Sequence, residues 1–305
     1  MDLAVRLGDL RLRNPLIAAS GVFGYGKEYS KLGDIRWFGA VVTKGTTLRP
    51  RAGNPPPRVT ETPSGMLNSI GLENPGIEEV IRREIPWLSK FGVPIILNAA
   101  GETYDEFAQI AALIDEVPEV DAIEVNVSCP NVSAGGMAFG VDPRAVYRAT
   151  RAVTQNFSRT VIVKLTPAAL SIRDVARAAQ EGGAHAVSLI NTLVGMAIDV
   201  NSKRAILGNV TGGLSGPAVK PVAIRCVWEA AQSVGIPVVG MGGITSWQDA
   251  VEFFLAGASA VAIGSGLLVN PRLPLEILKG LEGYCKREGV ERLSALAGLA
   301  WKQSS

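Results

Sequence analysis

Eight short runs of apolar, mostly β-branched residues recur along the chain, and each is followed by polar or glycine-rich residues. A helical pattern then fills most of the intervals between one run and the next. Continuous apolar runs of this length are typical of parallel strands that are covered on both faces. Eight such alternations predict the α/β class and a single (βα)8 TIM barrel, although a doubly wound open sheet has the same local pattern and stays open as an alternative. The predicted strands are Leu16–Ala19, Ala40–Thr43, Ile95–Asn98, Ala122–Val125, Val161–Leu165, Ala186–Ile190, Val238–Gly240 and Ala260–Ile263.

Helical stretches lie between the predicted strands. Tyr104–Val117 has an amphipathic pattern, and Asp142 is placed to cap a helix that starts at Pro143. Ile172–Gly182 and Ser246–Gly257 have the same character, and the second of them has a serine at the capping position and a glycine where a helix would stop.

Two segments depart from this alternation. Residues 1–13 predict a short hairpin that turns at Gly8–Asp9 and closes the bottom of the barrel. Residues 45–75 form a long insertion, rich in proline, glycine and asparagine, after the second strand. Long ordered loops at strand ends are usually functional in this architecture. We therefore expect one domain over residues 1–305, with insertions that contribute to a site at the C-terminal face of the barrel.

The bulk composition supports a large buried core and argues against several classes of function. Hydrophobic residues make up 47% of the 305 residues and charged residues 19%, which indicates a folded chain. The formal net charge is only +2, so the sequence lacks the electrostatic signature of a protein that binds nucleic acid or an anionic membrane. Charges interrupt the N-terminal segment throughout, which is typical of neither a signal peptide nor a membrane anchor.

Cys129, Cys226 and Cys285 are widely spaced, and no C-x-x-C pair is present. An odd number of such cysteines forms no disulfide framework and indicates a reducing, cytoplasmic location. Three thiolates are also too few for an ordinary iron–sulfur cluster, so we expect any cluster that takes part to belong to another chain. His185 is the only histidine, which excludes a His-rich zinc site, and its place before the sixth strand predicts a structural role.

All eight predicted strands end in a polar or glycine-rich position. In a closed barrel the side chains just past the C-terminal ends of the strands converge on one mouth, so we expect these residues to form one site. They are Ser20, Lys44, Asn98, Asn126 with Cys129, Lys164, Asn191 with Thr192, Gly242–Gly243 and Gly264–Ser265.

Glycine-rich turns follow the last two predicted strands. Gly242–Gly243 and Gly264–Gly266 occupy the positions where such barrels commonly bind phosphate, because glycines let backbone N–H groups approach the anion. We interpret Thr211–Gly216 (TGGLSG) as a further close-approach loop. A plain tight turn is the alternative interpretation for each of these segments.

Lys44 and Lys164 both lie at strand ends. A cation in a barrel mouth usually faces an anion, so either lysine could stabilise an electron-rich reduced flavin. The alternatives are a Schiff-base lysine, as in barrel aldolases, or a side chain that points to bulk water.

The segment Asn126–Asn131 (NVSCPN) places Cys129 just beyond the fourth strand. A free thiol has a pKa of about 8.5, which neighbouring groups can tune, so Cys129 is the candidate base or nucleophile. The glycine-bearing stretch that follows makes residues 129–140 a candidate lid. Cys226 and Cys285 lie in helical patterns and fit small buried residues.

Asparagines recur near the predicted strand ends. Because amides both donate and accept hydrogen bonds, they suit a uracil-like ring that bears N–H and C=O groups. These asparagines are Asn68, Asn98, Asn126, Asn131 and Asn191.

Many short segments, in this order, carry a resemblance to one family. They are Ala19–Tyr29 (ASGVFGYGKEY), Thr43–Thr47 (TKGTT), Gly53–Val59 (GNPPPRV), Gly65–Pro75 (GMLNSIGLENP), Asn126–Asn131, Val163–Pro167 (VKLTP), Ile190–Met196 (INTLVGM), Thr211–Arg225 (TGGLSGPAVKPVAIR) and Gly240–Ile244 (GMGGI). Over essentially its whole length the chain resembles the cytosolic, cysteine-base class of dihydroorotate dehydrogenases.

The resemblance implies oxidation of (S)-dihydroorotate to orotate in pyrimidine biosynthesis, with Cys129 as the base that removes a ring proton and FMN as the hydride acceptor. No metal is implied. The residues implied for FMN are Ser20, Lys44, Gly45, Asn98, Asn126, Lys164, Ile190, Gly216, Gly242, Gly243, Gly264 and Ser265. The residues implied for substrate are Lys44, Asn68, Ser69, Ile70, Gly71, Leu72, Asn126, Asn191 and Thr192.

Within the family, the FGYGKEY and TGGLSGPAVKPVAIR segments resemble the NAD-linked branch. This implies a homodimer within a heterotetramer, whose second subunit carries FAD and a [2Fe–2S] cluster and passes electrons to NAD. The alternatives are a fumarate-linked enzyme, another FMN barrel such as a dihydropyrimidine dehydrogenase domain or a tRNA dihydrouridine synthase, a Schiff-base aldolase that uses Lys164, and a non-enzymatic binder of a phosphate ligand.

Overall fold

The computed structural model describes residues 2–127 and 139–302. Cys129 and most of the candidate lid at 129–140 lie outside the described residues. Strands in the described part of the chain are, in order, β1 (Val5–Leu7), β2 (Leu10–Leu12), β3 (Leu16–Ala18), β4 (Ala40–Val42), β5 (Val59–Thr62), β6 (Gly65–Asn68), β7 (Ile95–Ala99), β8 (Ala122–Asn126), β9 (Thr160–Lys164), β10 (Ala186–Leu189), β11 (Leu193–Met196), β12 (Ile198–Asp199), β13 (Arg204–Ala205), β14 (Thr211–Ser215), β15 (Val238–Met241) and β16 (Ala260–Ile263).

The barrel is built from the eight strands that the apolar runs predict. Neighbouring strands are parallel and follow the order β3, β4, β7, β8, β9, β10, β15, β16, and β16 pairs back with β3 to close the ring. The predicted strands agree with the observed ones to within one residue at each end. The TIM barrel is therefore confirmed, and the open-sheet alternative is wrong because an open sheet has no pairing between its first and last strands.

Helices cover the outside of the barrel. They are α1 (Ser20–Phe23), α2 (Ile77–Glu79), α3 (Ile85–Leu88), α4 (Tyr104–Asp115), α5 (Pro143–Thr154), α6 (Ile172–Glu181), α7 (Lys220–Ala231), α8 (Trp247–Ala256), α9 (Gly266–Val269), α10 (Leu273–Arg287) and α11 (Leu299–Lys302). Wider, π-type turns at Val80–Glu84 join α2 to α3, and short 3-10 turns lie at Tyr29–Lys31, Ile35–Trp37, Ser89–Phe91, Phe139–Val141, Pro217–Val219 and Leu293–Leu296. None of the helices in the described part of the chain is both long and apolar enough to cross a bilayer.

The predicted helix caps are observed. The Asp142 carboxylate accepts from the Arg144 N–H at the start of α5, and the Ser246 hydroxyl accepts from the Asp249 N–H at the start of α8. Gly257 ends α8 in the left-handed conformation. Each of these contacts satisfies backbone groups that a helix end leaves unpaired.

The N-terminal hairpin closes the bottom of the barrel, as predicted. β1 and β2 pair antiparallel around Gly8–Asp9. Their apolar side chains join the interior of the barrel, while a second and larger cluster fills the space between the strands and the helices. The hairpin residues in the interior are Val5, Leu7, Leu10 and Leu12. Apolar surface that the strands would otherwise expose at this end is thereby removed from water.

The insertions carry a four-stranded antiparallel sheet in the order β11, β14, β6, β5. Two insertions of distant sequence position contribute to it, one from residues 45–75 and one after β10. The interpretation of Thr211–Gly216 as a loop is wrong for Thr211–Ser215, which form β14 and pair with β6 and β11. Glycine is unfavourable within a strand, so a glycine-rich segment predicts a loop, but the missing side chains here allow the close backbone approach that the pairing with β6 and β11 requires.

Candidate functional site

Four polar side chains from the strand ends and one from the middle of β8 meet inside the upper end of the barrel. The register pairs Asn126 with Lys164 on adjacent strands, so both side chains face inward at one level. The Lys164 ammonium donates to the Ser20 hydroxyl at 3.3 Å, and the Asn126 amide donates to Asn98 Oδ1 at 3.3 Å. Sequence reasoning named these four residues but did not name the fifth, Glu124.

Glu124 connects these groups from one layer below. Its carboxylate accepts from Asn98 Nδ2 at 2.5 Å and from the Ser188 hydroxyl at 2.7 Å, and Lys164 Nζ lies 3.8 Å from Oε2. Only 2% of Glu124 is exposed. A signal for it was present in the sequence, because strand side chains alternate and Glu124 lies two residues before Asn126, on the same face. An acid within a buried apolar strand demands buried partners.

Lys44 lies beside this cluster and is half-buried. Its backbone N–H donates to Gly24 O at 2.8 Å, which fixes the chain at the end of β4. Among the residues described, no carboxylate lies within ion-pair distance of its ammonium. Gly45 follows, and a Cβ there would lie 3.0 Å from Leu72 Cδ2 and 3.1 Å from Asn98 Oδ1. Gly45 thus brings the insertion directly against the cluster.

The predicted phosphate glycines lie at neighbouring strand ends. A Cβ on Gly243 would lie 2.9 Å from Gly216 O, and a Cβ on Gly242 would lie 3.4 Å from Ile190 Cγ1. Gly243 has φ +76°, which a larger residue rarely adopts. At the next strand end Gly264 is open, since the nearest atom to a Cβ there is Ala19 Cβ at 3.9 Å. Ser265 follows it and begins the turn into α9.

Asp249 fixes the loop that follows Gly242–Gly243, and Lys220 binds Asp249 in turn. The Lys220 ammonium lies 2.6 Å from Asp249 Oδ1 and 2.8 Å from Glu252 Oε1. The other Asp249 oxygen accepts from the N–H and hydroxyl of Thr245. Burial raises the pKa of Asp249, but the hydrogen bonds from Lys220 and Thr245 outweigh burial and hold that pKa below its ordinary value.

The predicted substrate stretch 68–72 begins at Asn68, the last residue of β6, which is an inner strand of the four-stranded sheet. Asn68 Nδ2 donates to Gly213 O at 3.3 Å, and the Ser69 hydroxyl accepts from Asn54 Nδ2 at 2.9 Å. Ile70 O accepts from the Asn54 N–H. Gly71 and Leu72 both have positive φ, which turns the chain back toward the barrel.

Asn74 pins this insertion to the strand end that bears Lys44, and sequence reasoning missed it. Its buried amide donates to the Thr47 hydroxyl at 2.8 Å and to Leu72 O at 2.7 Å, while its oxygen accepts from the Thr47 N–H. The proline and glycine around it indicated a turn, but not which distant backbone groups the amide would satisfy.

Asn191 and Thr192 follow β10 on the opposite side of the mouth. The Asn191 N–H donates to Leu165 O, and Asn191 Oδ1 accepts from the Thr192 N–H at 2.9 Å. A Cβ on Gly213 would overlap the Thr192 side chain, so Thr192 packs directly against β14. The two candidate substrate segments, 68–72 and 191–192, therefore meet at β14.

The residues for which the sequence predicts a structural or buried role lie away from the mouth. Cys226 and Cys285 are buried in α7 and α10, and burial raises the pKa of each thiol. His185 Nδ1 accepts from the Val161 N–H at 3.0 Å and packs on Gly8 of the hairpin, which agrees with the predicted structural role. Within residues 2–127 and 139–302, no group of three or more His, Cys, Asp or Glu side chains is arranged to hold a metal ion.

Comparison with known proteins identifies the family. The family model for dihydroorotate dehydrogenase matches residues 2–284. Relatives named dihydroorotate dehydrogenase B (NAD(+)), catalytic subunit, include one from Thermoanaerobacter pseudethanolicus, 51% identical over 298 residues (98% of each chain). Another, from Trichlorobacter lovleyi, is 52% identical over 299 residues (97% of each chain). A third, from Bacteroides thetaiotaomicron, is 47% identical over 297 residues, 97% of this chain and 98% of the relative. A match over almost the whole chain, on a barrel whose strand ends carry the expected polar residues, means that the chain belongs to the dihydroorotate dehydrogenase family.

Proposed function

We propose that this protein oxidises (S)-dihydroorotate to orotate in pyrimidine biosynthesis, with FMN bound at the barrel mouth and NAD as the final acceptor. The family assignment supports this reaction, and it removes support from the Schiff-base aldolase and from the simple phosphate binder. The structural observation that carries the proposal is the convergence of Lys164, Asn98 and Asn126 at the mouth whose neighbouring strand ends bear Gly242–Gly243 and the open Gly264.

The residues at the mouth fit FMN. Gly264 leaves room above its Cα, and Gly216, Gly242 and Gly243 present backbone without side chains, which suits a phosphate that binds N–H groups. Lys164 and the two amides offer a cation and donors for the oxygen- and nitrogen-rich edge of a flavin ring. The full set is Ser20, Lys44, Gly45, Asn98, Asn126, Lys164, Ile190, Gly216, Gly242, Gly243, Gly264 and Ser265. When bound, FMN supplies the hydride acceptor.

The protein's own residues bind and orient the substrate. Lys44, with no carboxylate beside it among the described residues, offers its charge to the substrate carboxylate. Residues 68–72 and 191–192, joined through β14, enclose the ring edges with amide and backbone groups. Holding the ring at a fixed angle to the flavin lowers the barrier by removing rotational freedom before the reaction.

Cys129 removes the C5 proton in this proposal. Two observations support this role. Cys129 lies three residues after Asn126, the last residue of β8, and the chain belongs to the dihydroorotate dehydrogenase family. General-base catalysis by a residue such as Cys129 contributes about 10²–10⁴-fold to the rate.

We further propose that residues 129–140 act as a lid over the substrate and that the whole chain is one FMN-binding domain.

The variant Cys129→Ser tests this assignment. Flavin bleaching after anaerobic addition of dihydroorotate should slow by at least about a hundredfold near neutral pH, because a serine hydroxyl is a far weaker base. FMN content should not change. Cys226→Ser is the matched control, since its buried thiol lies away from the mouth. Wild-type bleaching speed in Cys129→Ser would remove the cysteine from the mechanism.

Electrons then leave through a partner subunit. The relatives' printed name, a catalytic subunit of an NAD-dependent enzyme, supports a partner, and the three widely spaced cysteines support a cluster on another chain. We place FAD and a [2Fe–2S] cluster on that partner, in a cytoplasmic heterotetramer built on a homodimer of this chain. The isolated chain should turn over slowly with NAD and with fumarate. Fast fumarate reduction by the isolated chain would instead place it in the fumarate-linked branch.

A further inference from the structure

Glu124 is the most deeply buried carboxylate among the described residues that contact the site, and the proposed mechanism does not use it. Its two oxygens receive Asn98 Nδ2 at 2.5 Å and the Ser188 hydroxyl at 2.7 Å, and Lys164 Nζ lies 3.8 Å away. Asn98 is fully buried, and Lys164 is only 6% exposed. Because these protein groups already occupy both oxygens, Glu124 is not arranged to contact a ligand.

The contacts of Glu124 fix the orientation of Asn98 and Lys164, two groups that are arranged to contact a ligand. Asn98 Nδ2 donates to Glu124 while Asn98 Oδ1 accepts from Asn126, so the Asn98 amide has one favourable orientation. Lys164 is held between Glu124 and the Ser20 hydroxyl. Parallel pairing fixes the register of all these residues, since Asn98 pairs with Glu124, and Lys164 pairs with both Asn126 and Ser188.

Charge gives Glu124 a second effect. A buried ammonium next to the flavin attracts the extra electron density of the reduced ring, whereas a buried carboxylate nearby opposes this attraction. The 3.8 Å separation places both charges in the same poorly solvated interior, where screening by water is weak. The pair therefore presents less positive charge to the ring than Lys164 would alone.

We infer that Glu124 is a positioning residue that holds Lys164 and Asn98 at the flavin and lowers the reduction potential of the bound FMN by offsetting the charge of Lys164. This inference rests on the proposed binding of FMN. It assigns Glu124 no proton transfer and no contact with substrate.

The midpoint potential of the bound flavin tests the inference. Glu124→Gln keeps the shape of the side chain and removes its charge, so the potential should shift in the positive direction. Asp121→Asn is the matched control, because Asp121 immediately precedes the same strand at its other end and its carboxylate accepts from the Ile95 N–H. It should leave the potential unchanged. An unchanged or more negative potential in Glu124→Gln, or an equal shift in Asp121→Asn, would overturn the inference.

Measuring the thermal stability of single and double variants of the FMN-free protein keeps the inference testable if Glu124→Gln folds poorly. Lys164→Gln leaves a buried carboxylate without its countercharge and should be strongly destabilising. Adding Glu124→Gln to it should recover part of the lost thermal stability, so the double variant should lose less than the sum of the two single variants. Additive losses would show that the two residues do not act as a pair. If the wild-type chain binds no FMN, the proposed function fails, yet this cycle still decides whether the pair exists.

Discussion

At the scale of single residues, the site depends on which strand-end positions carry a charge and which carry no side chain at all. The inward face of the barrel is apolar at its lower levels, with Ala122 and Ile162 in the interior cluster, and polar at the top, with Asn126 and Lys164 on the same two strands. Because inward positions recur every second residue, two residues along β9 separate the packing role of Ile162 from the proposed binding role of Lys164.

Gly264→Ala tests the phosphate position at this scale. The nearest atom to the new methyl group within the protein is 3.9 Å away, so the FMN-free protein should keep its thermal stability. The methyl group would instead occupy the space that the proposed phosphate needs, and FMN affinity should fall at least about tenfold. A fluorescence titration with FMN measures this loss. Gly283→Ala, which is also free of contacts, is the control, and equal FMN affinities in the two variants would contradict the position.

At the scale of elements, the hairpin β1–β2 and helix α8 stabilise opposite ends of the barrel. The hairpin buries leucines under the strands, far from the mouth. Helix α8 starts at the mouth, where the Asp249 carboxylate accepts hydrogen bonds from the Lys220 ammonium and from the Thr245 N–H, two residues after Gly243. Loss of packing in the hairpin should therefore lower stability without altering the site, whereas changes at α8 should affect the loop that carries the phosphate glycines.

Leu12→Ala tests the hairpin. Leu12 is fully buried, and its truncation should lower the free energy of unfolding by about 2–5 kcal/mol. Urea unfolding of the FMN-free protein measures this loss, with the exposed Arg11→Ala as control. FMN affinity should remain at the wild-type value, and a loss of affinity in Leu12→Ala would show that the two ends of the barrel are coupled.

Asp249→Asn tests the contacts at the start of α8 through their pH dependence. The pKa of Asp249 in the folded protein is lower than in the unfolded chain, where it is about 3.9, so ionisation stabilises the fold above that value. The variant should unfold more easily than wild type at pH 7, by about 1–3 kcal/mol. The difference should shrink as the pH falls below about 3.9, the unfolded-state pKa, and the wild-type carboxylate takes up its proton. A difference that stays constant with pH would contradict this account.

At the scale of the whole molecule, one closed ring of strands separates two apolar clusters, and the mouth is where the ring meets the insertions. A ligand that fills the mouth contacts strand ends from many parts of the chain. Removal of FMN should therefore lower the temperature of unfolding of the whole barrel in one transition. At a hundredfold excess of FMN over its Kd the expected stabilisation is about 2.7 kcal/mol. Calorimetry with and without FMN measures it, and an unchanged transition would argue against binding to the folded barrel.

Local patterns accounted for most of the fold. Each barrel strand, the hairpin at Gly8–Asp9 and the caps at Asp142 and Ser246 depend on residues within about one helical turn or one strand, so period and capping chemistry are enough to find them. Strand ends then implied the mouth, because a closed parallel barrel leaves only one place for them to converge.

Partners that are distant in sequence decided the rest. The sheet that joins β6 to β14 brings together Asn68 and Gly213, 145 residues apart, and no local signal specifies that pairing. The contacts of Glu124 also join residues that are distant in sequence, since Asn98 lies on β7, Glu124 on β8 and Ser188 on β10. The sequence by itself determined a barrel with polar strand ends, because side-chain period is a local property. Only the tertiary structure decided which buried charge faces which donor. That choice depends on the register of the strands and on the closure of the barrel, which bring together residues that are far apart in the sequence.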